Sequence, residues 1–185
     1  MRFLKFLLII FISLTTSIKA DSNKKLINKL EEGGKLIFIR HAYAPGGGDP
    51  PNFNLNDCSS QRNLDQNGRK QAKKIGQFFK NNKIPFKLVL SSQWCRCKET
   101  ALIAFSDFKE QSFLNSFYSK KYQKNRNNQI QRLKLFIKKW NRKENLILVT
   151  HYVVILEILN YAPASGEIVV SDINFELIGS ISNIK

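Results

Sequence analysis

Leu36-Ile37-Phe38-Ile39-Arg40-His41 and Leu146-Ile147-Leu148-Val149-Thr150-His151 share one plan, an unbroken apolar run closed by a polar residue and a histidine. Four apolar residues in a row cannot alternate between core and water. They read as strands buried on both faces, as in a mostly parallel sheet with helices packed on either side. A third run, Leu88-Val89-Leu90, ends in Ser91-Ser92 and precedes a short helical stretch carrying Arg96. Ligands of such folds gather beyond the carboxyl ends of the strands. The three strand ends therefore offer Arg40, His41, Arg96 and His151 to one pocket, and the chain has only these two histidines. Guanidinium forks bind phosphate oxygens in pairs, and an imidazole can attack phosphorus or donate a hydrogen bond.

Further along the chain, Asp65 is suited to cap a helix running to about Asn82, with Ala72, Ile75 and Phe79 on its apolar face. A second helix is expected over about 94–104. A third carries Ile130, Leu133, Ile137 and Trp140, and a fourth carries Val154, Ile155, Ile158 and Leu159. Strands are expected at 35–40, 87–91, 146–150, 167–171 and 175–181. Segment 42–63, with Gly46-Gly47-Gly48 and Pro50-Pro51, lacks the Gly-Lys-Ser/Thr ending of a P-loop and reads as a rim over the pocket. Residues 105–128 read as a connector. The expected fold is α/β: a single three-layer domain over 35–185, preceded by a segment at 21–34.

Four motifs appear in order: Arg40-His41-Ala42; Leu64-Asp65-Gln66-Asn67-Gly68-Arg69-Lys70-Gln71-Ala72; Ser92 to Ala101 with Arg96 and Thr100; and Thr150-His151. Together they resemble the signature of the histidine phosphatase (phosphoglycerate mutase-like) superfamily, over about residues 35–171. The resemblance implies that His41 is a nucleophile that becomes phosphorylated and that Arg40, Arg96 and His151 hold the phosphoryl oxygens. It implies no cofactor and no metal. Ala42 stands where the family has glycine. That matters only if the backbone needs a positive φ or a very close approach there.

The family's general acid is not found at its usual places. The window around Tyr122 to Arg126 holds no carboxylate, and Tyr152 occupies the position after the second histidine. Asp49, Asp57, Asp107 and Glu110 read as solvated loop charges. Of these, Glu110 is the first candidate acid and Asp57 the second, should a folded loop bring either over the pocket.

The 185 residues, 43% of them hydrophobic, suffice for one full-sized core. Arg2 and Lys5 precede the apolar stretch 6–14, and small and polar residues follow to Ala20, the layout of a signal peptide at 1–20. That predicts an exported protein, periplasmic or secreted, with no membrane anchor after processing.

Export raises the question of a disulfide. On a helix, positions 95 and 97 point about 200° apart, so only one can face the loop holding Cys58. Cys97, four before Ala101, is expected to face the core. A Cys58–Cys95 bridge would then pin the loop to the helix carrying Arg96. Cys-x-Cys spacing without a second pair does not suit zinc.

The net charge of +16, three units of it from Arg2, Lys5 and Lys19, is spread among asparagines and matches no nucleic-acid module. A surface that draws in a small phosphorylated substrate or a phosphorylated envelope component is the expectation. The reading is an exported phosphatase; the alternative is a non-catalytic envelope module that binds phosphorylated lipid or glycan.

Overall fold

The computed structural model describes residues 23–182 and residue 184, so the expected leader at 1–20 lies outside the described residues. In β1 (Leu36–Arg40), Leu36 and Phe38 enter one apolar layer and Ile37 and Ile39 the other, and all four are fully buried. The unbroken apolar run is thus two interleaved core faces of period two. β2 (Phe86–Ser91) is buried only over its second half, from Val89 to Ser91, whereas β4 (Asn145–Thr150) is built like β1. A two-residue β3 (Lys109–Glu110), β5 (Ile168–Ser171) and β6 (Leu177–Ile181) complete a six-stranded sheet in the order β3-β2-β4-β1-β5-β6. The first four strands in that order run parallel, β5 lies antiparallel to β1, and β6 lies antiparallel to β5.

Helices cover both faces. On one lie α1 (residues 23–31), α2 (Gln66–Asn81) and α3 (Cys95–Phe105), contributing Leu26, Leu30, Ile75, Phe79 and Ala101 to the layer of Ile37 and Ile39. After the one-turn α4 (Lys120–Gln123), α5 (Arg126–Lys139) and α6 (Tyr152–Leu159) cover the other face with Leu133, Ile137, Val154, Ile155 and Leu159. Asp65 caps α2, its side chain accepting from the Gly68 amide at 2.8 Å. The expected strands and four long helices are present within one or two residues. The segment before residue 35 is not peripheral, because Leu26 and Leu30 are buried in the same core layer as α2 and α3.

One buried polar side chain ties these pieces together at the edge remote from the strands' carboxyl ends. Asn145, fully buried at the start of β4, accepts from the Lys35 amide (3.0 Å) and donates to the carbonyls of Leu30 (2.6 Å) and Pro85 (2.7 Å). It thereby joins the end of α1 and the approaches to β1 and β2. Asn145→Ala strands these backbone groups and is expected to lower the unfolding free energy by about 3 kcal/mol in urea titrations. Asn145→Asp should recover little, since a carboxylate cannot donate to two carbonyls.

Candidate active site

Register places the functional residues. Arg40 pairs with Thr150 across β1 and β4, and Ser91 with Val149 across β2 and β4. The ladder runs one step past the strands: the His41 amide donates to Thr150 O and the Ser92 amide to Val149 O, both at 2.9 Å. His41, Ser92 and His151 therefore leave three adjacent parallel strands side by side. The two imidazole centroids lie 5.4 Å apart, and both rings are buried.

The tautomer of His41 follows from its partners. Nδ1 lies 2.8 Å from Ala42 O, which can only accept, so Nδ1 carries the proton. Nε2 then holds the lone pair and accepts from Arg96 Nε–H at 3.2 Å. Burial, reinforced by the charges of Arg96, Arg62 and Arg40, drives the His41 pKa well below its ordinary value, which keeps the imidazole neutral. Ala42 needs no positive φ. Its amide donates to Thr100 Oγ1 (3.0 Å), which donates in turn to Arg96 O (2.6 Å), so the Arg40-His41-Ala42 and Arg96–Thr100 motifs interlock.

His151 is tethered through Nε2, 2.9 Å from Ser92 Oγ. Asn115, from the connector, fixes that serine by accepting from Ser92 Oγ (3.2 Å) and the Gln93 amide (2.9 Å). Burial, then the Arg96 charge, holds His151 neutral as well. Cys97 lies 3.5 Å from the same nitrogen. Burial pushes its thiol pKa up to about 12, so it is a small apolar neighbour rather than a nucleophile.

Three arginines face this pair. Arg40 donates through Nη1 to Pro163 O (2.9 Å), and its guanidinium lies 5.4 Å from the centre of the Tyr152 ring. Arg62, which the motif reading did not single out, donates to Ala44 O. The Nε atoms of Arg40 and Arg62 are buried without a hydrogen-bond partner in the protein. Arg96 is the most engaged of the three: Nη1 and Nη2 grip Asp49 at 2.7 and 3.2 Å, and Nη1 also reaches Arg62 O at 3.3 Å.

Asp49 is therefore not the solvated loop charge expected from the sequence. It also accepts from Trp94 Nε1 (3.0 Å) and the Arg62 amide (3.1 Å). Burial, the largest influence, acts to raise its pKa, but the Arg96 contact and the two further donors outweigh it and hold the carboxyl below its ordinary range. The two candidate acids lie elsewhere. Asp57 is exposed and caps the short 3-10 turn Cys58–Ser60, accepting from the Ser59 amide at 2.9 Å. Glu110 sits exposed on edge strand β3, 3.3 Å from Lys98. Neither lines the pocket. The reason is local: polar capping satisfies one, and a surface ion pair occupies the other.

The loop that carries Asp49 and Arg62 is fastened at several points. A disulfide joins Cys58 to Cys95, with Cα atoms 5.6 Å apart, and Cys97 is the free, buried cysteine. Closing a loop of this size is worth about 4 kcal/mol in the chain-entropy model. Gln61 Oε1 accepts from the Cys95 amide at 3.0 Å. At the other end, a Cβ on Gly68 would fall 2.0 Å from Tyr43 O, so only glycine lets the first turn of α2 lie against the chain that follows His41. Gln71 secures the contact, accepting from the Tyr43 amide (2.8 Å) and donating to Ser165 O (2.7 Å). The result is a pocket of about 420 Å³, lined by the two histidines and three arginines and walled by loop 43–53 and residues 116–122. Among the described residues no cluster of three His, Cys, Asp or Glu side chains is arranged to hold a metal ion.

Comparison with known proteins agrees with this geometry. The family model described as histidine phosphatase superfamily (branch 1) matches residues 36–113, which include Arg40, His41, Arg62 and Arg96. No curated protein matches the sequence. Similar solved structures include the protein histidine phosphatase SixA complexed with tungstate (15% identity, 80% of this chain and 96% of that one, TM-score 0.55). A phosphoglycerate mutase from Thermus thermophilus aligns over 80% of this chain and 99% of its own at 14% identity and TM-score 0.53. A phosphoserine phosphatase mutant from Entamoeba histolytica, in complex with phosphoserine, aligns over 74% and 89% at 18% identity and TM-score 0.52. At these identities the structures establish a shared fold.

The Asp49–Arg96 pair is the part of this site most open to a stability test. Removing one partner of a buried ion pair leaves an uncompensated charge and costs about 3–5 kcal/mol. Asp49→Ala is expected to lower the unfolding free energy by at least about 3 kcal/mol, and inorganic phosphate should restore more stability to the variant than it adds to the wild type. Denaturant titrations with and without phosphate check both; an equal phosphate effect would show that Arg96 does not face an anion site.

Proposed function

We propose that this chain, whose residues 36–113 match the family model of the histidine phosphatase superfamily (branch 1), hydrolyses a phosphomonoester through a phosphohistidine formed on His41. One observation carries this reading. Two arginines that line the His41 pocket each keep a buried Nε–H without a protein acceptor, and His41 turns an unprotonated nitrogen toward the same space. A phosphoryl group there supplies oxygens that accept from the arginines and a phosphorus that faces the His41 lone pair.

The chemistry follows in two steps. His41 Nε2 attacks phosphorus in line, the bond from phosphorus to the leaving oxygen breaks, and that oxygen departs with the electron pair. Water then attacks the phosphohistidine, the P–N bond breaks, and phosphate and neutral imidazole are regenerated. Arg40, Arg62 and Arg96, with His151, stabilise charge on the equatorial oxygens, donors already fixed before the reaction begins. Loss of bulk water makes each of these contacts stronger than in solution.

We place the reaction outside the cytoplasm. Supporting this are the leader-like order of Arg2, Lys5 and the apolar stretch 6–14, together with the Cys58–Cys95 disulfide, a bond rare in reducing compartments. The substrate is a small phosphorylated molecule or a phosphorylated envelope component. Binding of phosphate without turnover would favour the alternative of a non-catalytic module.

His41→Ala is expected to keep the fold while losing both turnover and incorporation of labelled phosphate into the protein; retained turnover removes His41 as nucleophile. The same variant tests the neutral imidazoles. Both histidines have folded pKa values well below 6.5, so below that pH the unfolded chain binds protons that the folded chain refuses. Stability is then complete above pH 6.5 and falls as the medium acidifies. Two such groups give a slope of up to about 3 kcal/mol per pH unit below 6.5, and His41→Ala should halve their contribution.

A further inference from the structure

We propose that the substrate is an aryl phosphate, in which the leaving oxygen is bonded directly to an aromatic ring; this rests on the phosphatase reading above. Two independent observations converge on it, the first being what the pocket lacks as an acid. Among the described residues that line it, Asp49 is the only carboxylate, and both its oxygens are engaged by Arg96, with further bonds from Trp94 and the Arg62 amide. Glu110 and Asp57 are outside. His151 has its Nε2 tied to Ser92. The donors that remain are the hydroxyls of Ser116, Ser119 and Ser165, the tyrosine phenols and the Lys121 ammonium, all weaker acids than a carboxyl. A leaving oxygen must therefore depart largely as an anion. A phenoxide, conjugate to a hydroxyl of pKa about 10, does so far more readily than an alkoxide.

The second observation is the composition of the rim. Three tyrosines from separate segments line it: Tyr43 after the nucleophile, Tyr118 in the connector and Tyr152 at the start of α6. Tyr43 and Tyr118 are 46% and 56% exposed. They are not core aromatics whose faces are already used, unlike Phe53, Trp94 and Tyr122, which pack on one another at 5.3–5.8 Å. Tyr118 and Tyr152 meet edge to face at 6.0 Å, and the Tyr152 ring lies 5.4 Å from the Arg40 guanidinium. Aromatic surface thus begins within one ring's width of a phosphate-binding arginine, where the group attached directly to phosphorus would lie. A planar ring there gains offset or edge-to-face contacts.

In the reaction so assigned, His41 Nε2 bonds to phosphorus, the P–O(aryl) bond breaks, the phenoxide leaves with the electron pair and takes a proton from water, and a second water releases phosphate.

Three substrates separate the two observations. Phenyl and benzyl phosphate share a ring but differ in leaving oxygen; benzyl and propyl phosphate share an alkoxide leaving group but differ in the ring. With purified protein, kcat/KM for phenyl phosphate should exceed that for benzyl phosphate by at least about 100-fold, the lower end of what a positioned acid supplies. Benzyl should exceed propyl by about 3- to 10-fold, the worth of one aromatic contact. In Tyr118→Ala or Tyr43→Ala, the benzyl-to-propyl ratio should fall towards one while the phenyl-to-benzyl ratio stays. If benzyl or propyl phosphate is turned over as fast as phenyl phosphate, or if neither tyrosine variant moves the benzyl-to-propyl ratio, the assignment is overturned. Phosphoramidate distinguishes a deeper failure. A His41 that takes a phosphoryl group from it, in a protein with no preference for phenyl phosphate, sinks the aryl assignment alone, whereas no phosphoryl transfer from any of the four compounds sinks the phosphatase reading.

Discussion

Arg96 is the residue on which the site depends. Its guanidinium is 3% exposed and touches His41 Nε2, the Asp49 carboxylate and the Arg62 carbonyl at once. A cation that deep in the protein requires a counter-charge, because the cost of leaving it uncompensated is several kcal/mol. Asp49 supplies it, and doing so draws the irregular chain between β1 and α2 back over the strand ends. The fastening of that chain by Cys58–Cys95, Gln61 and Arg62 follows from the same need. The Arg96 side chain can then keep Nε–H aimed at His41 while both of its terminal nitrogens hold Asp49.

This arrangement also explains how two imidazoles stay unprotonated among arginines. Desolvation is the larger cause for each, and the arginine charges add to it. A neutral imidazole has one donor and one acceptor nitrogen, so orientation matters. Ala42 O settles it for His41 by demanding the Nδ1 proton. The Ser92–Asn115 pair holds the ring of His151 at Nε2. Asn115 closes the short 3-10 turn Ser112–Leu114 in the connector, and its contact with Ser92 bears on where a strand-end histidine points. Positioning here is done by backbone carbonyls and amide side chains, which cannot titrate and so hold their roles across pH.

The parts legible in the sequence were those with a period or a fixed offset from a strand. Runs such as Leu36-Ile37-Phe38-Ile39 announce two-sided burial, and residues just past them must lie at one edge of a parallel sheet. His41, Arg96 and His151 were accessible by that logic. Gly68 and Gln71 were visible as a motif, though their task, seating Tyr43 against α2, is a contact 25 or more residues away in sequence. Asp49 and Arg62 were not accessible. An aspartate between three glycines and two prolines looks like a solvated turn, and nothing local says that it will meet a guanidinium 47 positions on. The same blindness made Glu110 and Asp57 look like acids, because a charge in an aperiodic segment has no address until the chain folds.

The charge balance of the pocket shows why overall basicity is a poor guide to what is bound. The chain carries +16 in total, but exposed lysines act through a field screened over about 8 Å at physiological salt. What a ligand meets at His41 is Arg40, Arg62 and Arg96 set against Asp49, with both imidazoles neutral and the exposed Lys121 also lining the pocket. That leaves two uncompensated guanidiniums beside the histidines, a charge suited to an anion such as a phosphate group. Were Asp49 absent, the excess of guanidiniums would be three, favouring tighter retention of a bound anion. The aspartate that secures Arg96 therefore also trims the pocket's positive charge, and structural and electrostatic demands are met by one side chain.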